Sequence, residues 1–338
     1  MLAMTLLCGS GVLIGVVTMP LRPSALLALD DANPAVDNDP AIITWMKAGK
    51  RLPPGRFYVS TPINTSGEGC RLLGSAAGRQ ARADSAWDGT TNRTTAIIWN
   101  GANDAGSHLI EVDKPDFHME DIQLVGTPLG AGILPTEPSD ITLVYCWMPV
   151  INEDSVSFVS FDRVTFVSAE YGIYIADGDE TNHFSSDEVR FQRVNIPYSV
   201  NEENSVSHHI KSLTVLGSGD TIFEISRGGR LKADFVTIVD NWNSILRWGT
   251  GSGTQQRYNA GYVDIYVTID ATTYIDNSIV ETDEYVSGDS YVNITGHASS
   301  GPDGTDTTMG DPIELNDANR WTVNIVRMIG GDFVWPAP

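Results

Sequence analysis

Short stretches that alternate apolar and polar residues recur along this chain every few dozen positions. They include Asp121-Ile122-Gln123-Leu124-Val125, Asp162-Arg163-Val164-Thr165-Phe166 and Glu188-Val189-Arg190-Phe191. The series continues through Leu213-Thr214-Val215, Asp234-Phe235-Val236-Thr237-Ile238, Asp264-Ile265-Tyr266-Val267, Tyr291-Val292-Asn293-Ile294 and Trp321-Thr322-Val323. A period of two is the signature of a half-buried strand. Taking Val164, Val189, Leu213, Phe235, Ile265, Val292 and Val323 as inward anchors, the steps are 25, 24, 22, 30, 27 and 31 residues. One unit of that size cannot bury its own apolar face, so units must stack. With almost no helical pattern between the strands, the expected fold is all-β, a parallel β-helix solenoid. At a strand spacing of about 4.8 Å, roughly eight coils make a rod on the order of 40 Å long.

Two segments depart from this pattern. Met1 to Leu21 carries no charge and intersperses Gly9, Gly11 and Gly15 among apolar residues. Its length suits a membrane span. It lacks the basic start of a secretory signal, and its glycines make a poor helix, so a strand-like docking arm is the favoured expectation. A signal or anchor and a buried first strand are the alternatives. A Pro- and Asp-rich linker follows, giving residues 1–38 as arm and linker and 39–338 as the β-domain. Within the latter, Asp39-Pro40 through Gly49 predicts a helix at about 40–49, with Asp39 as cap, Pro40 in the first turn and Gly49 as stop. Exposed loops are expected at 79–107, 126–142 and 296–311.

The helix runs directly into Leu52-Pro53-Pro54-Gly55-Arg56-Phe57-Tyr58-Val59-Ser60, and then Cys70-Arg71-Leu72-Leu73-Gly74. This combination resembles the opening of the pectate-lyase (pectin-lyase) superfamily and of the viral tailspikes that share its fold. The resemblance covers about forty residues. It implies a single-stranded right-handed parallel β-helix whose short N-terminal helix caps the open end, where unpaired layers would otherwise invite aggregation. It specifies fold far better than function, because lyases, hydrolases and non-enzymatic spikes all use it. Hydrolases of this class carry an Asn-Thr-Asp strand, an Asp-Asp pair, a Gly-His-Gly and an Arg-Ile-Lys segment; the sequence contains no such set.

Charge narrows the partners. The formal net charge is −22, from 43 acidic and 21 basic residues, with only five lysines. Such a surface repels duplex DNA, so nucleic acid is not an expected partner. Dense carboxylate with scarce Lys resembles proteins of salt-loving archaea, in which salt screens self-repulsion; an ordinary acidic extracellular β-protein is the alternative. Cys8, Cys70 and Cys146 have no metal-ligand spacing, and read as small buried residues.

Candidate chemistry is sparse. Asp177, Asp179, Glu180 and His183 cluster after the strand ending at Ala176, where Asp177 and Asp179 could hold Ca2+ or another hard cation and the carboxylates could form an acid/base pair. A solvated turn explains the same residues. Trp242 and Trp248, with Asp240, are candidates for a carbohydrate groove, or for coil edges covered by another subunit. His208-His209 reads as ordinary loop. Asn64, Asn92 and Asn293 head glycosylation-like triplets.

The resemblance, the missing catalytic signatures, the arm and the acidic surface together yield an expectation of a spike-, turret- or fibre-like appendage on a tailed virus. It would be homo-oligomeric, with a trimer favoured by analogy, held to other virion proteins through residues 1–38, and attached to a host-surface glycan or glycoprotein. The alternatives are a polysaccharide lyase or glycoside hydrolase, and a membrane-anchored cell-surface protein.

Overall fold

A computed structural model describes residues 7–8, 11–12, 26–30, 33–65, 70–76, 94–127, 138–146, 158–176, 183–200, 207–225, 230–240, 242–248, 262–269, 275–282, 290–298, 313–315 and 321–326. These are overwhelmingly strand, with one α-helix among them, Asp39–Lys47. From residue 55 onward the strands follow one closed order, and every pairing in it is parallel. Of the expected arm, only Leu7–Cys8 and Gly11–Val12 are described, as a short antiparallel pair.

The registers sort the strands into three ladders. In the first, Leu72 pairs with Met119, Met119 with Phe161, Phe161 with Ser186, Ser186 with Ile210, Ile210 with Ala233, Ala233 with Ile265 and Ile265 with Ile294. In the second, Phe57 pairs with Ile97, Ile97 with Leu124, Leu124 with Phe166, Phe166 with Phe191, Phe191 with Val215 and Val215 with Ile238. In the third, Ile63 pairs with Ile110, then Val144, Ile173, Tyr198, Phe223 and Leu246. Each repeat therefore sets its apolar residues directly over those of the last. Nearly all of these side chains belong to one buried cluster, and burying each contributes about 1.5–3 kcal/mol. Ring contacts run through it: Phe166 stacks on Phe191 at 4.5 Å and 9°, and Tyr198 lies 6.0 Å from Phe223.

On the second ladder the outward row is apolar as well. Tyr58, Ile98, Val125 and Val167 succeed one another in register and form a second buried cluster with Ala96. Burial on both faces explains why Thr95-Ala96-Ile97-Ile98-Trp99 reads as a continuous apolar run rather than an alternating one.

Left-handed backbone turns the corners between ladders, at register-equivalent positions. Asp116, Phe158 and His183 (φ 61, 59 and 65°) precede the first ladder; Asp121, Arg163 and Glu188 (55, 52 and 50°) separate the first from the second. Ser168, Arg193, Gly217 and Asp240 (54, 53, 88 and 74°) follow the second. Non-glycine residues adopt this region at a cost of about 1–2 kcal/mol, so the stacked strands on either side must hold them there.

Two sequence expectations are corrected here. The helix begins one residue earlier than expected and its N-cap position is Asn38, not Asp39. The Asn38 side chain does not cap the helix. It accepts a hydrogen bond from the Asp30 N–H (2.8 Å) and donates to the carbonyls of Asp30 and Tyr58 (both 3.2 Å), tying three segments together. Gly49 does end the helix, at φ 59°, and Ile42 and Met46 join the main core. The second correction concerns Phe235. Leu213 pairs with Val236, not Phe235, and the ladder is irregular between Ala233 and Val236. Two residues occupy that corner, and Phe235 points outward.

Gly126 provides a test of the corners. A methyl group there would overlap the Ser168 carbonyl oxygen, part of the neighbouring repeat's backbone, whereas Gly49 faces open space. Gly126→Ala is expected to cost about 2–4 kcal/mol and Gly49→Ala only about 1 kcal/mol from its positive φ. Urea unfolding of the two variants checks the contrast.

Candidate functional site

Outward-facing positions of the first ladder and its following corner bring chemistry together that is far apart in sequence. Near the N-terminal end, Arg51 follows the helix and donates to Glu120 (2.7 Å), Asp121 (2.9 Å) and the Gly74 carbonyl (2.7 Å). Arg163 reaches the same Glu120 and Asp121 and also Asp162, at 2.6–2.7 Å. Burial works to raise the Asp121 carboxyl, but the two guanidinium groups outweigh it and hold it below its ordinary range. With both arginines over 40% exposed, each pair is worth little alone. Sharing two carboxylates between two guanidiniums makes it a clamp that fastens the helical segment to the first repeats.

Further along the same edge lies a different surface. Phe235 is 63% exposed and Tyr266 41%; their rings are 5.8 Å apart at 73°. This edge-to-face arrangement leaves a notch of aromatic surface open to solvent. Beside it, Asp234 accepts from Lys232 (2.7 Å) and contacts His209 Nε2 at 2.7 Å. Those two partners, Lys232 foremost, keep the Asp234 carboxyl below its usual range. One repeat back, Lys211 donates to Asp187 at 2.8 Å. The geometry is an exposed apolar platform bordered by polar groups fixed in place by one another.

The third ladder carries an outward aromatic stack of another kind. His108 stacks on Tyr145 at 4.7 Å, and Tyr145 on Tyr174 at 5.8 Å with planes 4° apart. Here the rings cover each other, so their faces serve the ladder rather than a ligand. Next to them burial, then the nearby Glu224 and Glu170, pushes the Tyr171 hydroxyl up to about 12. Asp220 is gripped by Arg247 through two bonds of 2.6 and 2.9 Å and by Asn243 at 2.9 Å. Although burial opposes it, this grip lowers the Asp220 pKa, the reverse of what a proton-donating carboxyl needs.

Of the residues singled out from sequence, those whose side chains are described do not converge on one site. Asp177, Asp179 and Glu180 lie outside the described residues. His183 is exposed at a corner, stacked on Phe158 at 5.1 Å. Asp240 sits at another corner, accepting the Gly217 N–H at 2.8 Å. Trp242 is only 1% exposed, its ring lying where a side chain on Gly219 would be. It is part of the core and offers no face to a sugar. The backbone of Trp248 is in the strand Trp242–Trp248; its side chain is outside the described set. Among the described residues no group of three or more His, Cys, Asp or Glu is placed to hold a metal ion. Cys70 and Cys146 are buried. No helix among the described residues is long and apolar enough to cross a membrane.

His208-His209 is strand, not loop. Successive side chains point to opposite sides, so His209 faces out and His208 faces in, 3% exposed and 5.2 Å from Phe184. Neither His208 ring nitrogen has a hydrogen-bond partner among the described residues. Phe235 and Tyr266 were legible only indirectly. Ile210 and Leu213, like Ala233 and Val236, are inward residues with two positions between them, which marks a two-residue corner and places Phe235 outside.

Comparison with protein-family models, with curated proteins and with solved structures finds no match for this chain. The surface must therefore be read from its own chemistry.

Burial alone lowers the His208 pKa from 6.5 to about 4. Between those values the unfolded chain takes up a proton that the folded chain refuses, so stability is intact above about pH 6.5 and drains away as pH falls towards 4. The loss is on the order of 3 kcal/mol. His208→Phe keeps the ring and removes the titration. Thermal or urea unfolding at pH 7.5, 5.5 and 4 is expected to show the variant gaining on the parent as pH falls; a constant difference would contradict this account.

Proposed function

We propose that this chain is a right-handed, single-stranded parallel β-helix with a capping helix, acting as a non-enzymatic attachment protein that binds surface glycan through the Phe235–Tyr266 corner. The observation that carries the reading is the exposure of two adjacent aromatic rings, 63% and 41%, at a corner occupied by Glu120-Asp121, Asp162-Arg163, Asp187-Glu188 and Lys211-Ser212 in the preceding repeats. Exposed aromatic surface has no folding benefit, whereas it suits the apolar face of a pyranose ring. The parallel registers with partners 23–47 residues apart support the solenoid reading, as does packing of the helix against the strands at 63–64 and 71–73.

The setting we infer is a virion appendage of a tailed virus, homotrimeric, joined to other virion proteins through residues 1–38 and displayed on the particle surface. It rests on the tailspike-like segment at 39–60 and on the strongly acidic composition, which also suggests a halophilic host. The loops expected around the buried strand Thr95–Trp99, before the strand that begins at Thr142, and at 296–311, largely outside the described residues, would extend the contact.

Phe235→Ala is expected to weaken binding to host-envelope glycan about tenfold while leaving the unfolding midpoint within a degree or two, because the ring is mostly exposed. Trp242→Ala should do the converse, costing about 3–5 kcal/mol of stability. Shortening of the polysaccharide on incubation with the protein would replace the attachment reading with the lyase or hydrolase one. The halophilic inference has its own check: the unfolding midpoint should rise across molar NaCl or KCl, and a flat response would remove it.

A further inference from the structure

The Phe235–Tyr266 surface also carries information about the charge of its ligand, an inference that rests on the glycan-binding reading above. Phe235 and Tyr266 supply the only large aromatic faces of this corner among the described residues. Among the described residues, the polar groups bordering them are the cations Lys211 and Lys232, the imidazole of His209, and the carboxylates Asp187, Asp234 and Asp264. Each has its partner within the protein. Lys211 is bonded to Asp187 at 2.8 Å. Lys232 and His209 share Asp234, both at 2.7 Å. Asp264 accepts from the Asn293 amide at 2.7 Å. An anionic sugar would have to displace one of these carboxylates from its cation, exchanging one ion pair for another with no net gain, and would do so against the field of a chain whose net charge is −22. A neutral pyranose meets no such obstacle. Its axial C–H face lies on the open aromatic surface, while its hydroxyls donate to the carboxylate lone pairs that the internal pairs leave at the rim, which a second carboxylate cannot do.

We infer that this corner selects uncharged glycan, a run of neutral hexose or N-acetylhexosamine units, and discriminates against uronate- or sialate-bearing chains. Pre-paired charges also mean that binding should involve little counterion release, and so depend weakly on salt.

The experiment is a titration of the full-length protein with neutral gluco- and N-acetylhexosamine oligosaccharides and with oligogalacturonates of equal length. Calorimetry at 0.1 and 1 M NaCl is the readout, repeated with Phe235→Ala. The expected result is binding of at least one neutral series, weakened about tenfold by the substitution and changed less than about twofold by salt. Phe235-dependent binding of the uronate series, alone or equally well, would overturn the charge inference and leave the glycan-binding corner standing. A neutral affinity that falls steeply with salt would overturn it too. If no series binds the parent protein, the glycan-binding reading falls together with this inference.

Discussion

An inward side chain in this protein must rest on the equivalent side chain of the next strand in its ladder, one strand spacing away. Parallel in-register pairing imposes that condition on every repeat at once. Phe166 can stack on Phe191, and Ile173 can lie against Tyr198, only because the backbone hydrogen bonds fix which residue follows which. A slip of one position would send each of these side chains to solvent. The core is thus less a set of independent contacts than one column, in which each layer removes water from the last.

The corners are where this condition is reconciled with a chain that must change direction twice or more in each repeat. Left-handed residues at matched positions, such as Ser168, Arg193 and Asp240, let the strand turn without shifting register. At this corner two residues separate the inward positions in each repeat from Glu120-Asp121 through Asp234-Phe235, and one, Tyr266, does so in the next. The exposed phenylalanine is therefore a consequence of its place between the inward residues Ala233 and Val236. Its surroundings become fixed because the same stacking that orders the core also sets Lys232, Asp234 and His209 side by side on the outside.

Polar interactions play two distinct parts on this scaffold. The Arg51–Glu120–Asp121–Arg163 clamp joins segments distant in sequence, and Arg247 with Asp220 braces the third ladder. Each lowers the pKa of one carboxyl, Asp121 in the clamp and Asp220 on the third ladder. Around Phe235 the pairs are more local in sequence and border open aromatic surface, the feature on which the proposed glycan contact rests. Burying His208 without a partner is the opposite case, a polar group placed in the column by register alone.

The sequence by itself determined that the chain is built of short parallel-stacking strands, that a helix near residue 40 precedes them, and that Cys70 and Cys146 are interior. These follow from local alternation, from helix punctuation and from the size of the repeat. It could not place Trp242, whose composition suits a sugar platform equally well, nor Phe235, which completes an apolar-looking phrase. Inside or outside at those positions depends on where a corner ends and a strand begins, and only pairing with the neighbouring repeat decides that. The site is likewise tertiary: His209, Asp234 and Tyr266 come from three successive repeats, and only the ladder brings them to one edge.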